Sequence, residues 1–223
     1  MTKDERYREM LRGLDDCEPF LLAESRLPGA RANLELVRAA GEEADEMRGL
    51  HLADAEDEFL VMCGAVGLGR LIAVGSHRHL VRLRELASDP RWRVREAVAM
   101  ALQRWGDEDF DAMAAEAEHW AEESPLEQRA AIAACCEPRL LGPPEAARRA
   151  LGLLERVTES LPSSRDRTLR QALGYCWSVA VAALPEEGLR RFELLERSTD
   201  PDVQWVIREN LKKARLARLR TRR

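Results

Sequence analysis

The chain has 223 residues, of which 45% are hydrophobic and 34% charged, with a formal net charge of −5; that much apolar matter supports a core and excludes a globally disordered chain. Aromatic residues make up only 5% while Ala, Leu, Arg and Glu dominate, a balance that favours helix because unbranched side chains lose little rotamer freedom there. The most apolar run, 59–75, is interrupted by Arg70 and four glycines and is too short and too broken to span a bilayer.

Apolar residues recur at three- and four-residue spacings, and no alternating Val/Ile/Thr run marks a strand. The pattern predicts helices over 3–14, 17–25, 30–47, 55–74, 77–88, 91–105, 109–123, 126–138, 144–160, 165–184, 186–198 and 202–219. Their short connections, carrying Pro, Gly, Asp or Ser, imply antiparallel neighbours. The opening Met-Thr-Lys-Asp-Glu-Arg runs straight into charged helix, so no signal peptide and a cytoplasmic location are expected. Residues 1–60 hold 16 Asp/Glu against 8 Lys/Arg. Residues 1–50 therefore read as an acidic N-terminal cap, interrupted at Leu27-Pro28-Gly29, that covers the first repeat; its charge would also let it shield the basic segment that follows. Gly64-x-x-Gly67-x-Gly69 lies inside an apolar helix with no strand before it, so it reads as close helix packing and not as a phosphate loop.

Residues 70–104 reverse the sign, with 8 Arg against 3 Asp/Glu. Arg78, Arg82, Arg84, Arg91, Arg93 and Arg95 gather in one helix pair, and Val94, Val98, Ala101, Leu102 and Trp105 form a single apolar stripe from which Trp92 projects away. Such a surface would suit an acidic partner or phosphates. Arg95 is equally placed to serve the turn, and Arg82 to pair with Glu85 at i, i+3. Neither face of such a pair is buried by the pair alone, which calls for neighbours on each side.

Leu83-Arg84-Glu85-Leu86-Ala87-Ser88-Asp89-Pro90, followed by Trp92-Arg93-Val94-Arg95-Glu96-Ala97-Val98 and the Ala/Leu-rich run to Leu102, resembles a HEAT repeat. Asp89, Val94, Arg95, Ala97 and Leu102 occupy the family's positions. The stretch from Leu194 to Val203 is a weaker match, with Gln204 in place of the arginine. The resemblance implies an all-α fold, a right-handed superhelix of stacked helix pairs with about ten to twelve helices. On this reading residues 1–223 are one HEAT-like repeat domain, 76–106 the best-matching repeat, and 186–217 the C-terminal one. Families of this kind mostly bind proteins and some bind nucleic acid. Bacterial HEAT-like DNA alkylation repair proteins share the helical build, but their Trp-Asp pairing on one helix is not evident here; the nearest is Trp105-Gly106-Asp107.

Further along, Ser124-Pro125-Leu126-Glu127 is a capping box with Pro at the first helical position, and Asp89-Pro90 and Asp200-Pro201 each read as a cap followed by Pro. Cys17, Cys63, Cys135, Cys136 and Cys176 have no CxxC spacing and sit in apolar helix, as buried thiols of a reducing compartment would. His77-x-His79 has no third ligand at zinc spacing, so no metal site is expected. In the last helix Trp205, Arg208, Lys212 and Arg215, spaced i, i+3, i+7 and i+10, form a second cationic face opposite Val203, Val206, Ile207, Leu211 and Ala214. Residues 218–223 read as a frayed basic tail.

No nucleophile elbow, phosphate loop or isolated acid–base pair appears, so no catalytic residue and no cofactor is expected. The sequence thus points to a noncatalytic scaffold for a protein partner. The alternative is nucleic-acid binding, with ties to alkylation repair. The candidate binding surface is Arg82, Arg91, Trp92, Arg93, Arg95, Trp205, Arg208, Lys212 and Arg215.

Overall fold

A computed structural model describes residues 2–221. They form fourteen α-helices and one 3-10 turn, with no strand among the described residues: α1 (Lys3–Arg12), α2 (Glu18–Glu24), α3 (Leu34–Glu43), α4 (Glu46–Ala53), α5 (Glu58–Ala73), the 3-10 turn His77–His79, α6 (Leu80–Leu86), α7 (Trp92–Glu108), α8 (Phe110–Trp120), α9 (Pro125–Cys135), α10 (Pro144–Ser164), α11 (Arg167–Ala183), α12 (Pro185–Leu195), α13 (Pro201–Leu211) and α14 (Ala214–Arg220). The fold is all-α, as the periodicity predicts. The count exceeds ten to twelve because one helix lies mostly in 48–54, read from the sequence as a connection, and because the helix predicted over 202–219 is divided. The helix expected over 30–47 stops at Glu43, and Asp45 caps a new one by accepting from the Arg48 amide at 2.8 Å. The helix expected over 202–219 breaks at Lys212 and Lys213. Residues 218–220 belong to α14, and Arg222 and Arg223 lie outside the described residues. No helix is long and apolar enough to cross a membrane among the described residues.

The chain divides after Glu108 into two compact units. In the first, α3, α5 and α7 run side by side in one direction. Arg93 meets Glu58 near the starts of α7 and α5, and Gly69 meets Ala101 farther along both. α1 lies along α3 in the same sense, with Lys3 on Glu35 and Arg12 on Glu43. α4 returns antiparallel to α5, placing Gly64 against Ala53 and Gly67 against Gly49. The glycines permit this closeness, since a Cβ on Gly64 would sit 2.1 Å from the Ala53 nitrogen and one on Gly69 would sit 2.5 Å from the Ala101 Cα. Leu11, Leu21, Leu36 and Val37 are fully buried, so the acidic first fifty residues are built into this core and are not laid over it.

In the second unit α8, α10 and α12 form one parallel row, tied by Arg149 to Asp111 and Glu118, by Arg148 to Glu187 and by Arg191 to Glu155. α11 and α13 run parallel in the other row, with Arg170 on Asp202 and Ser178 on Asn210, and α9 packs beside α11. The predicted caps form: Ser124 and Glu127 make the reciprocal box, and Asp200 accepts from the amides of Asp202 and Val203. Ahead of α7, the Asp89 carboxylate accepts from the Arg91 amide and the helix begins only at Trp92.

One turn device recurs in both units. Arg95 reaches back to the carbonyls of Asp89 and Pro90 at 2.5 and 2.9 Å. Gln204, six residues after Ser198, donates to its carbonyl at 2.5 Å. Gln128 does the same to Ala121 and Glu123 at 3.0 and 3.1 Å. In each case a long polar side chain near the start of one helix satisfies carbonyls in the turn that leads into it. Gln204 therefore does at its turn what Arg95 does at its own.

Candidate functional site

The arginines of the basic middle are brought to carboxylates. Arg91 makes a two-pronged bond to Asp89, Nε to Oδ1 at 2.8 Å and Nη2 to Oδ2 at 2.6 Å, and gives Nη1 to the Glu56 carbonyl. That bond holds the Asp89 carboxyl below the usual carboxylate range. Arg82 spans Glu85 at 2.8 Å and Asp54 at 2.9 Å. Arg104 binds Glu42 and Glu108, and Arg78 binds Glu46. Arg78, Arg82, Arg93 and Arg104 of the basic middle are thus paired with Glu46, Asp54, Glu58 and Glu42 of the acidic opening, so these parts of the two segments are not separate charged surfaces. The second candidate face is also altered. Trp205 lies against Gly174 with the Arg170 guanidinium 4.8 Å from its ring centroid, and Lys212 is bound to Glu209. Arg215, beyond the helix break, sits over Tyr175 and donates to its hydroxyl at 3.1 Å. Arg208 is exposed with no carboxylate at ion-pair distance among the described residues. The four are not one continuous row.

The tryptophans separate clearly. Trp120 and Trp177 are fully buried, their N–H groups satisfied by Glu116 and Thr158. Trp105 is buried with its ring centroid 5.3 Å from that of His77. Trp92 alone of the five is more than half exposed, at 54%. The cause is its place at the first position of α7, turned away from the stripe that Val94, Val98 and Leu102 bury. The Arg93 guanidinium stacks on it, 4.6 Å from the ring centroid, a favourable contact between a cation and the negative face of an indole.

Arg93 joins Trp92 to a groove of about 340 Å³ lined by Leu22, Ser25, Leu27, Pro28, Asp57, Glu58 and Arg93. α2 supplies Leu22, 41% exposed, and the loop before α3 supplies Leu27 and Pro28. That loop is pinned by Asn33, which donates to the Glu24 carbonyl at 2.9 Å and to the Tyr7 hydroxyl at 3.0 Å while accepting the Leu36 amide, and by Arg93 Nη2 on the Gly29 carbonyl at 3.2 Å. On the opposite wall Asp57 caps α5 through the Phe59 and Leu60 amides, and Glu58 holds Arg93 Nη1 at 3.1 Å. Glu58 is thus committed to Arg93, whereas Asp57 spends only Oδ1 on the cap. Trp92 is not itself a lining residue; Arg93, which lies over its ring, connects it to the groove. Sequence reasoning picks out Trp92 and Arg93 but misses Leu22, Leu27, Pro28, Asp57 and Glu58. The break at Leu27-Pro28-Gly29 is the one signal near them.

No family model matches this chain. No curated protein matches it in sequence either. Among solved structures, an engineered protein is similar at 18% identity over 99% of this chain and 100% of that one, with a TM-score of 0.40. A designed armadillo repeat protein is similar at 16% identity over 89% and 99%, with a TM-score of 0.37. At these TM-scores neither bears on what the chain does. Its own chemistry is similarly spare: all five cysteines are buried and free, and burial pushes the Cys135 thiol up to about 12. Among the described residues no three His, Cys, Asp or Glu side chains gather as a metal site.

Proposed function

We propose that this chain is a HEAT-like helical repeat module that binds a protein partner without catalysis, and that it does so at the face built by Trp92, Arg93 and the adjoining groove. The observation that carries the reading is the exposed indole of Trp92 packed on Arg93, whose side chain in turn lines a groove with Leu22, Leu27 and Pro28, in a region where most of the arginines already meet carboxylates. Tryptophan and arginine dominate the energetic centres of protein interfaces, and an exposed aromatic beside apolar side chains favours contact over solvation. A phosphate backbone, by contrast, would have to displace Asp89, Glu58, Asp54 and Glu85 from the arginines.

A second reading, nucleic-acid binding, is favoured by the other end of the chain. There Arg208 is exposed, and Tyr175, 45% exposed, has Lys213 and Arg215 over its ring. The link to alkylation repair draws no support from Trp105, which lies in the core.

Two experiments separate the readings. A photo-crosslinking residue at position 92 is expected to give a discrete protein adduct in cells that the same residue at Met47, exposed on α4, does not. Titration with a labelled duplex is expected to show no binding at near-physiological salt. Micromolar binding with a steep salt slope, flattened by Arg208→Gln and Arg215→Gln, would replace the protein reading with the nucleic-acid one.

A further inference from the structure

We infer that the groove beside Trp92 takes a cationic peptide, one that presents a lysine or arginine next to an aliphatic residue. This rests on the proposed function above and names the chemistry of its partner. The sequence alone would suggest the opposite, an acidic partner for a basic segment.

Charge decides the sign. The ionised groups on the groove walls are Asp57, Glu58 and Arg93, two carboxylates to one guanidinium; Arg91 also acts on Asp57 and Glu58 from outside the walls, but its charge is met by the two-pronged bond to Asp89. Arg93 is closed to an incoming anion. Its Nη groups hold Glu58 and the Gly29 carbonyl, its Nε is buried, and its guanidinium carbon lies over the Trp92 ring, 4.6 Å from the centroid. Asp57 is exposed. It accepts backbone amides through Oδ1, and among the described residues its Oδ2 meets no hydrogen-bond donor.

The apolar walls decide the rest. Leu22, Leu27 and Pro28 match an aliphatic side chain or the methylene stem of a lysine. Trp92 carries Arg93 on one face and is 54% exposed, which leaves indole surface for a second cation. A groove of about 340 Å³ holds one or two side chains and not a folded domain, so the recognised element is a short segment.

The test uses the full chain and a display library of random dodecapeptides, with the selected peptides resynthesised and titrated by fluorescence anisotropy. Asp57→Asn is the informative variant, because asparagine caps a helix about as well as aspartate and removes only the charge. The inference expects selected peptides enriched in Lys or Arg beside Leu, Ile or Val. Their affinity should fall roughly two- to fivefold in Asp57→Asn and about tenfold or more in Trp92→Ala. It also expects weakening with added salt, reduced in Asp57→Asn. Acidic or uncharged peptides that still depend on Trp92 would overturn the cationic inference and leave the docking face in place. Peptides indifferent to both substitutions would overturn the inference and the docking face together. Circular dichroism of both variants guards against unfolding, and Leu22→Ser offers a separate probe of the apolar wall.

Discussion

Asn210 is fully buried on α13, yet all its polar atoms are used: the amide nitrogen donates to Leu173 and Val206 carbonyls at 2.9 and 2.8 Å, and the oxygen accepts the Ser178 amide at 2.8 Å. Replacing it with leucine leaves the Ser178 amide without that acceptor, so Asn210→Leu should destabilise the chain by about 1–3 kcal/mol, measured by urea unfolding; an unchanged midpoint would show that the clamp is dispensable. Glu43 and Asp89 make a second case. Glu43 is held below the usual carboxylate range first by its bond to Arg12 and then by Arg8, against the opposing effect of burial, and Asp89 is held down chiefly by Arg91. A carboxyl whose folded pKa is depressed contributes stability that is fully present above the unfolded pKa and disappears as pH falls through the folded one. Stability should therefore be level above about pH 5 and decline as pH falls below about 4. Glu43→Gln and Asp89→Asn should each be less stable at pH 7, by about 1–2 kcal/mol, and should approach the wild type in acid. Curves that run parallel at every pH would exclude this linkage.

Among the helices, contact distance is set by glycine. A methyl group at Gly69 would meet the Ala101 backbone at 2.5 Å, whereas one at Gly152 on α10 would meet nothing within 4 Å. Gly69→Ala should thus force α5 from α7 and cost about 2–3 kcal/mol, while Gly152→Ala should stabilise by about 0.5–1 kcal/mol through backbone entropy alone. Thermal melts of the two variants should move in opposite directions, and equal shifts would refute the packing argument. The helices themselves were legible because each is punctuated: a cap, a proline or a glycine stands at most boundaries. The two missed breaks lack that punctuation. Ala39, Ala40 and Ala44 keep the apolar spacing across the end of α3, and Asp45 reads as one more surface acid. Leu211 and Ala214 likewise carry the pattern through Lys212-Lys213. The groove was illegible for a different reason. Its walls come from α2, the following loop, the start of α5 and the start of α7, and periodicity within any one of these does not report which segments meet.

At the scale of the whole chain, charge counting found the right residues and assigned them the wrong relation. Residues 1–60 are acidic and 70–104 basic, yet Glu42 binds Arg104, Glu46 binds Arg78, Asp54 binds Arg82 and Glu58 binds Arg93. Stacked helices place each against a later neighbour, so blocks of opposite sign that follow one another in sequence become paired ridges in space. The consequence separates two outcomes for removal of residues 1–50. A detachable acidic shield would leave a folded protein with raised affinity for polyanions. In this structure the same cut deletes α1, α2, α3 and the first half of α4. It uncovers Val66, which packs on Gly41, and removes Ala44 from the side of Gly67; it also strips Glu42 and Glu46 from their arginines. Residues 51–223 should therefore lose cooperative unfolding in part of the circular dichroism melt and bind a hydrophobic dye that the full chain does not. A truncated protein that melts as sharply as the full chain, and binds a DNA duplex more tightly, would restore the shield and return the basic middle to the list of binding surfaces.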